Sequence, residues 1–194
     1  MQQLSAVILA AGKGTRMPGD LPKVAHEVAG APMVRWVVDA CRQAGCAKLV
    51  IVVGYKQEVV RAIFAEDKGL EFAVQAEQLG TGHAVASAAA ALRGFDGDVL
   101  TLAGDGPLVT RETLSRLAHL HRSKGAVCTM ATTTLDDPTG YGRIVRGANG
   151  RFERIVEEKN ATPEQKAIRE VYPSICVLRA RGPFAALGRL PRDP

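Results

Sequence analysis

Residues 4–23 read Leu-Ser-Ala-Val-Ile-Leu-Ala-Ala-Gly-Lys-Gly-Thr-Arg-Met-Pro-Gly-Asp-Leu-Pro-Lys. The first part, Leu4–Ala10, is an apolar run that predicts a buried strand, and a loop rich in glycine and cations follows it directly. Gly12 and Gly14 let the backbone turn sharply and bring N–H groups close to an anion. Lys13, Arg16 and Lys23 add three positive charges within one short loop, which suits a polyphosphate. Three solvated loop cations would be the plainer reading of the same residues.

Working outward, strands and helices alternate through the first two thirds of the chain. Pro32 predicts a first helical turn, with the helix running to about Gln43. Lys48–Val53 is a continuous β-branched run ended by Gly54, and Val59, Val60 and Ile63 follow at helical spacing. Glu71–Gln75 reads as a short strand, and Gly82–Leu92 as an alanine-rich helix of high intrinsic propensity. Val99–Leu102 is a further buried strand and Thr110–Arg122 a further helix. This alternation predicts an α/β fold with a Rossmann-like, doubly wound, mixed but mostly parallel sheet. After Gly125 the pattern changes to strands separated by turns: Ala126–Thr134, Gly142–Val145, Phe152–Val156 and Ile175–Leu178. The stretch from Ala180 predicts no further element, so the chain is expected to be incomplete at its C-terminus.

Composition narrows the possibilities. The chain has 194 residues, 46% hydrophobic and 23% charged, which suits one full-sized globular domain. Aromatics are only 5%, too few for base-stacking platforms, and the net charge of +5 is spread out rather than gathered into a basic arm. Nucleic acid is therefore not the expected partner. Cys41, Cys46, Cys128 and Cys176 form no Cys-x-x-Cys pair or zinc pattern and are expected to be reduced core thiols. His119 and His121 lie two apart on a predicted helix, on different faces, and suggest no metal site. Met1-Gln-Gln-Leu lacks the cationic start of a signal peptide, and no apolar run approaches the ~18 residues of a membrane span. A cytoplasmic protein without a membrane partner is the expectation.

The loop fits neither common nucleotide fingerprint. Gly12-x-Gly14 lacks a third glycine, since Met17 stands there, and no Gly-x-x-x-x-Gly-Lys-Ser/Thr string occurs. That argues against a Rossmann-type oxidoreductase and against a Walker loop. From spacing alone, Asp105 in Gly104-Asp-Gly106 is equally a turn residue or a metal ligand at the carboxyl end of a strand.

The full string Leu9-Ala-Ala-Gly-x-Gly-Thr-Arg-Met17, followed by Pro22-Lys23, resembles the signature of the sugar-1-phosphate nucleotidyltransferases. Four further stretches are similar in order and spacing to the uridylyltransferase domain of the bacterial bifunctional N-acetylglucosamine-1-phosphate uridylyltransferases. They are Gln75-Ala-Glu-Gln-Leu-Gly-Thr-Gly-His83, Gly104-Asp-Gly-Pro-Leu108, Asp137-Pro-Thr-Gly-Tyr-Gly-Arg-Ile144 and Ile155-Val-Glu-Glu-Lys-Asn160. Together they cover about residues 4–171. The resemblance implies a nucleotide-diphospho-sugar transferase fold over residues 1–194, with a nucleotide-binding half (1–125) and a sugar-binding half (126–194). It implies transfer of a nucleotidyl group, most simply UMP from UTP, to N-acetylglucosamine 1-phosphate, in the supply of cell-wall precursors.

Site residues follow from the same resemblance. Leu9, Ala10, Ala11, Gly12, Lys13, Gly14, Gln75, Gly80 and Thr81 would bind the nucleotide, with Gln75 on a base edge. Arg16 and Lys23 would be catalytic, Arg16 with Lys13 on the triphosphate and Lys23 on the α-phosphate and incoming phosphate. Asp105 would hold Mg²⁺. Gly142 and Glu157 would contact the sugar, although Glu157 alone reads equally as an exposed strand residue. Thr81 also reads as lying near a helix cap, and His83 as packing or hydrogen-bonding locally.

The chain departs from the pattern at two places. Ala103 stands where an aromatic or similar residue usually precedes Gly-Asp, and Tyr172-Pro173-Ser174 replaces an Asn-(Thr/Ala)-Gly that contacts the sugar. Proline removes a backbone donor and the asparagine amide is gone, which leaves the exact sugar open. The family's second magnesium ligand and its acetyltransferase β-helix lie beyond position 194, so weak turnover is expected of this chain alone. A transferase for another base or acceptor, a non-catalytic nucleotide- or sugar-binding module, and a homo-oligomer all remain compatible with the residues.

Overall fold

A computed structural model describes residues 3–14, 17 and 19–182. The described residues form two compact units, one running to Thr129 and resuming at Cys176, the other Met130–Ile175.

The first unit is organised around β1 (Leu4–Ala10), which has no polar side chain except the buried Ser5. A two-residue hairpin, β2 (Glu27–Val28) and β3 (Ala31–Pro32), precedes α1 (Met33–Gln43). Met33, Val34, Val37, Val38 and Cys41 form the buried stripe of α1, at the spacing that puts them on one face. β4 (Lys48–Val53), α2 (Gln57–Ile63), β5 (Leu70–Val74), α3 (Thr81–Ser87), β6 (Asp98–Ala103) and α4 (Arg111–Ser123) follow in turn. β1 pairs in parallel with β4 on one side (Val7↔Val50) and β6 on the other (Val7↔Thr101), and β4 pairs in parallel with β5. The six-stranded order is β5-β4-β1-β6-β12-β7, where β7 is Cys128–Met130 and β12 is Ile175–Arg179. The expected mostly parallel α/β sheet is present.

Both faces of β1 are covered, which is why its sequence is continuously apolar rather than alternating. Val7, Val50, Val52 and Val99 share one face with Ala84 and Ala88 of the alanine-rich stretch. By strand alternation Ala6, Ile8 and Ala10 face the other way, where α1 and α4 pack. Each fully buried Ile, Leu or Val here contributes roughly 1.5–3 kcal/mol through burial.

Four expectations are revised, the first being Pro32, which ends β3 and is the N-cap of α1 rather than a residue of its first turn. The alanine-rich helix ends at Ser87, because Ala88 and Ala89 donate to carbonyls three residues back (Ala88 N–Val85 O 3.1 Å) and the chain continues as turns. The run 126–134 divides into β7 and β8 (Thr133–Thr134), which belong to different sheets. Cys128 is exposed, whereas Cys41 and Cys176 are buried.

The second unit holds an antiparallel sheet of order β10-β9-β11-β8, with β9 Gly142–Arg146, β10 Phe152–Val156 and β11 Glu170–Tyr172. A short helix, α5 (Pro163–Lys166), starts with a capping box between Thr162 and Gln165. Among the described residues no helix is long and apolar enough to cross a membrane.

The amino end of β6 is fixed by a buried polar cluster. Asp98 is 1% exposed and accepts from Arg122 Nε at 2.7 Å, while His121 Nε2 lies 3.5 Å from its other oxygen. His121 Nδ1 is 2.9 Å from Thr129 Oγ1. Burial holds the His121 pKa below 6.5, against the pull of Asp98 toward the charged form. The unfolded chain therefore takes up this proton first as pH falls, and stability drops from about pH 6.5 toward the lowered native value. Melting curves at pH 7.5 and 5.5 are expected to separate, and His121→Gln to narrow that separation while losing about 1 kcal/mol at pH 7.5.

Candidate functional site

β1, β4, β5 and β6 are parallel, so their carboxyl ends lie at one edge of the sheet. The strand order reverses between β1 and β6, the place where open α/β sheets bind ligands. The loops that follow these four ends carry most of the residues expected at the site.

After β1, Ala11 is buried and its carbonyl accepts from the Tyr55 N–H (3.0 Å) and from Gln78 Nε2 (2.9 Å). A Cβ on Gly12 would meet no atom within 4 Å, so neither packing nor an unusual φ requires glycine there. Its bare backbone borders open space. Gly14 is different: its φ is +72°, and a Cβ would lie 2.5 Å from Lys23 Cβ. The turn is closed by Met17 N to Gly14 O at 2.9 Å. Arg16 lies outside the described residues. Leu9 and Ala10 are the last strand residues, and the Leu9 carbonyl accepts from Gly104 N at 2.8 Å.

Lys23 begins a single 3-10 turn, Lys23–Ala25, and its ammonium forms an ion pair with Asp105. Asp105 follows Gly104 directly after β6. The two side chains are 44% and 27% exposed, so their attraction is screened by water, and the contact matters for placement more than for stability. Two residues far apart in sequence thus meet at the reversal of strand order. Among the described residues no cluster of three or more His, Cys, Asp or Glu could by itself hold a metal. One carboxylate completed by phosphate oxygens and water is nonetheless an ordinary donor set for Mg²⁺, and Asp105 fits it.

Gln75, directly after β5, is 5% exposed. Its Nε2 contacts Gly80 O at 3.1 Å and His83 Nδ1 at 3.2 Å, and its backbone N–H bonds Val53 O at 2.8 Å. Both amide hydrogens are occupied, which leaves the side-chain carbonyl as the group able to meet a ligand. His83 acts locally, as an acceptor that orients Gln75. Gly80 caps α3 with φ +89° and Thr81 is the first helical residue, with no side-chain cap bond.

Tyr55 and Lys56 carried no motif in the sequence, and Gln78 stood in the Gln75–His83 stretch without a role of its own, yet all three line the same edge. Asp20 pairs with Lys56 and with the Tyr55 hydroxyl, and Lys13 sits over the Tyr55 ring at 5.3 Å. Lys56 and Tyr55 hold the Asp20 carboxyl below the usual carboxylate range, and Asp20 in turn raises Tyr55 and Lys56.

In the second unit, Gly142 and Glu157 are neighbours. A Cβ on Gly142 would reach Ile155 Cγ2 at 2.8 Å and Glu157 Oε1 at 3.5 Å, and Tyr172 opposes Gly142 on β11. Glu157 is exposed. The arrangement is supported by Arg143, 1% exposed, which pairs with Glu158 at 2.6 Å and donates to the Tyr141 and Lys166 carbonyls. Ser174 has φ +60°, a left-handed conformation costly for a residue with a Cβ.

The model of the MobA-like NTP transferase domain matches residues 6–171, and the chain belongs to this family of nucleotidyltransferases. A curated relative in Geobacter metallireducens, "Bifunctional protein GlmU", is 55% identical over 193 residues, all of this chain and 40% of the relative. Proteins of the same name in Geobacter sulfurreducens and Pelobacter propionicus are 51% and 49% identical, again over the whole chain and 40% and 42% of their length. The chain thus spans about two fifths of the relatives it matches.

Two substitutions test the local geometry. Gly14→Ala forces a Cβ into Lys23 at positive φ and is expected to cost about 1–2 kcal/mol, read as a lower melting temperature. Ser174→Gly relieves the same kind of strain and is expected to gain about 1 kcal/mol in denaturant unfolding.

Proposed function

We propose that this chain transfers a uridylyl group from UTP to a sugar 1-phosphate, with N-acetylglucosamine 1-phosphate as the acceptor, releasing pyrophosphate. The observation that carries this reading is the meeting of Lys23 and Asp105 beside the glycine-rich loop, at the carboxyl ends of β1 and β6.

In the reaction an acceptor phosphate oxygen attacks the α-phosphorus of UTP. The bond from that phosphorus to the β-phosphate bridge breaks, and pyrophosphate carries away the electron pair. Two anions must approach each other, so positioning and preorganised positive charge do most of the work. Lys13 and Arg16 are assigned to the triphosphate, and Lys23 to the α-phosphate and the incoming acceptor. Asp105 would hold a divalent cation, taken to be Mg²⁺, together with phosphate oxygens. When bound, that cation neutralises and orients the triphosphate. Asp105 also keeps the Lys23 ammonium directed at the reaction edge.

Base choice is assigned to Gln75. With its NH₂ group held by Gly80 and His83, the remaining carbonyl is an acceptor. Uracil offers an N3–H donor to such a group, whereas cytosine presents a lone pair at N3. Gly80 and Thr81 would pass close to the base. Gly142 and Glu157 are assigned to the sugar, with a backbone amide and a carboxylate for its polar groups. Tyr172, opposite Gly142, is the residue that favours a second reading of the acceptor, in which another sugar phosphate replaces N-acetylglucosamine 1-phosphate.

Thermal shift with each of the four nucleoside triphosphates and Mg²⁺ is expected to rank UTP first, and mass spectrometry of products from mixed sugar phosphates identifies the acceptor. Asp105→Asn and Lys23→Ala are each expected to lower pyrophosphate release about a hundredfold or more. A rank order led by CTP, or Asp105→Asn turning over like the parent chain, contradicts the proposal.

A further inference from the structure

We infer that Tyr55 is the positioning residue of the glycine-rich loop, holding it at its start, its middle and its end; this rests on reading that loop as the triphosphate site. Its backbone N–H bonds the Ala11 carbonyl at 3.0 Å, where the loop leaves β1. Its ring lies beneath the Lys13 ammonium, 5.3 Å from the centroid. Its hydroxyl bonds Asp20, whose second oxygen takes Lys56. One residue from the β4–α2 turn therefore touches three points of the loop.

The loop needs such support. It contains Gly12, Gly14 and Gly19, and glycines lose the most backbone freedom when they are fixed. A loop ordered before the ligand arrives spares the ligand that cost, which improves affinity without any new contact. The aromatic face has a second effect. A π face orients an ammonium without itself cancelling its charge, whereas Asp105 pairs directly with Lys23. Gly54 makes the arrangement possible, since a Cβ there would stand 3.0 Å from the Ala11 carbonyl oxygen that Tyr55 must reach.

The test uses the whole chain and two readouts: the Kd of UTP with Mg²⁺ by calorimetry, and the rate of tryptic cleavage between Lys13 and Gly14 without nucleotide. Tyr55→Phe is expected to weaken UTP about threefold, the size of one screened hydrogen bond to a charged group. Tyr55→Leu, which also loses the ring under Lys13, is expected to weaken binding about tenfold. Cleavage after Lys13 should accelerate in the same order. Tyr55→Phe keeps the ring and guards against a misfolded Tyr55→Leu. Variants that melt earlier but keep parental Kd and cleavage rates reduce Tyr55 to a packing residue and overturn the inference. If the parent chain binds no UTP while cleavage still accelerates, the nucleotide reading fails and the loop support stands.

Discussion

Above the carboxyl ends of β1, β4 and β6, the chain passes itself at distances that leave no room for side chains. A Cβ on Gly54 would stand 3.0 Å from Ala11 and 3.1 Å from the Gln75 carbonyl, and one on Gly104 would stand 3.1 Å from the Leu9 carbonyl. These contacts bring the loops after β1, β4, β5 and β6 together, since backbone bonds link the strand ends and first loop residues of neighbouring strands. Gly104 N to Leu9 O, Tyr55 N to Ala11 O and Gln75 N to Val53 O form that seam. The core beneath it is conventional aliphatic packing. What distinguishes this fold is how tightly its strand ends are stitched.

Charge at the seam is compensated in three ways. Lys23 has a carboxylate, Asp105; Lys56 has a carboxylate shared with a phenol, Asp20 and Tyr55; Lys13 lies over the Tyr55 ring and feels the Asp20 carboxylate without a direct ion pair among the described residues. Lys23 and Lys56 thus have a carboxylate in direct contact, and Lys13 an aromatic face.

The sheet was readable because its central strands are buried on both faces. Leu4–Ala10 and Lys48–Val53 show as unbroken apolar runs, the second ended by glycine, and the structure keeps both boundaries. The alanine-rich stretch misled because propensity sets whether a helix forms, not where packing ends it; past Ser87 the chain tightens into turns. The run 126–134 misled because β-branched residues mark strand character without saying which sheet they join. At the site, glycines and cations in one short string were legible. The pairing of Lys23 with Asp105 was not, since it depends on two loops meeting across a strand boundary. Tyr55 gave no signal, because an isolated tyrosine has no spacing to read, and Gln78 stood in a motif without a role assigned to it. Local hydrogen bonding by His83 was legible, but its partner, Gln75, was not.

β6 has opposite characters at its two termini. Asp98 at its amino terminus is sealed from water and committed to Arg122 and His121, while Asp105 just past its carboxyl terminus remains accessible. One short strand thus separates a carboxylate sealed within the fold from one that meets water beside Lys23. Change at the carboxyl terminus of this strand therefore leaves the thermodynamic anchor at its far end untouched.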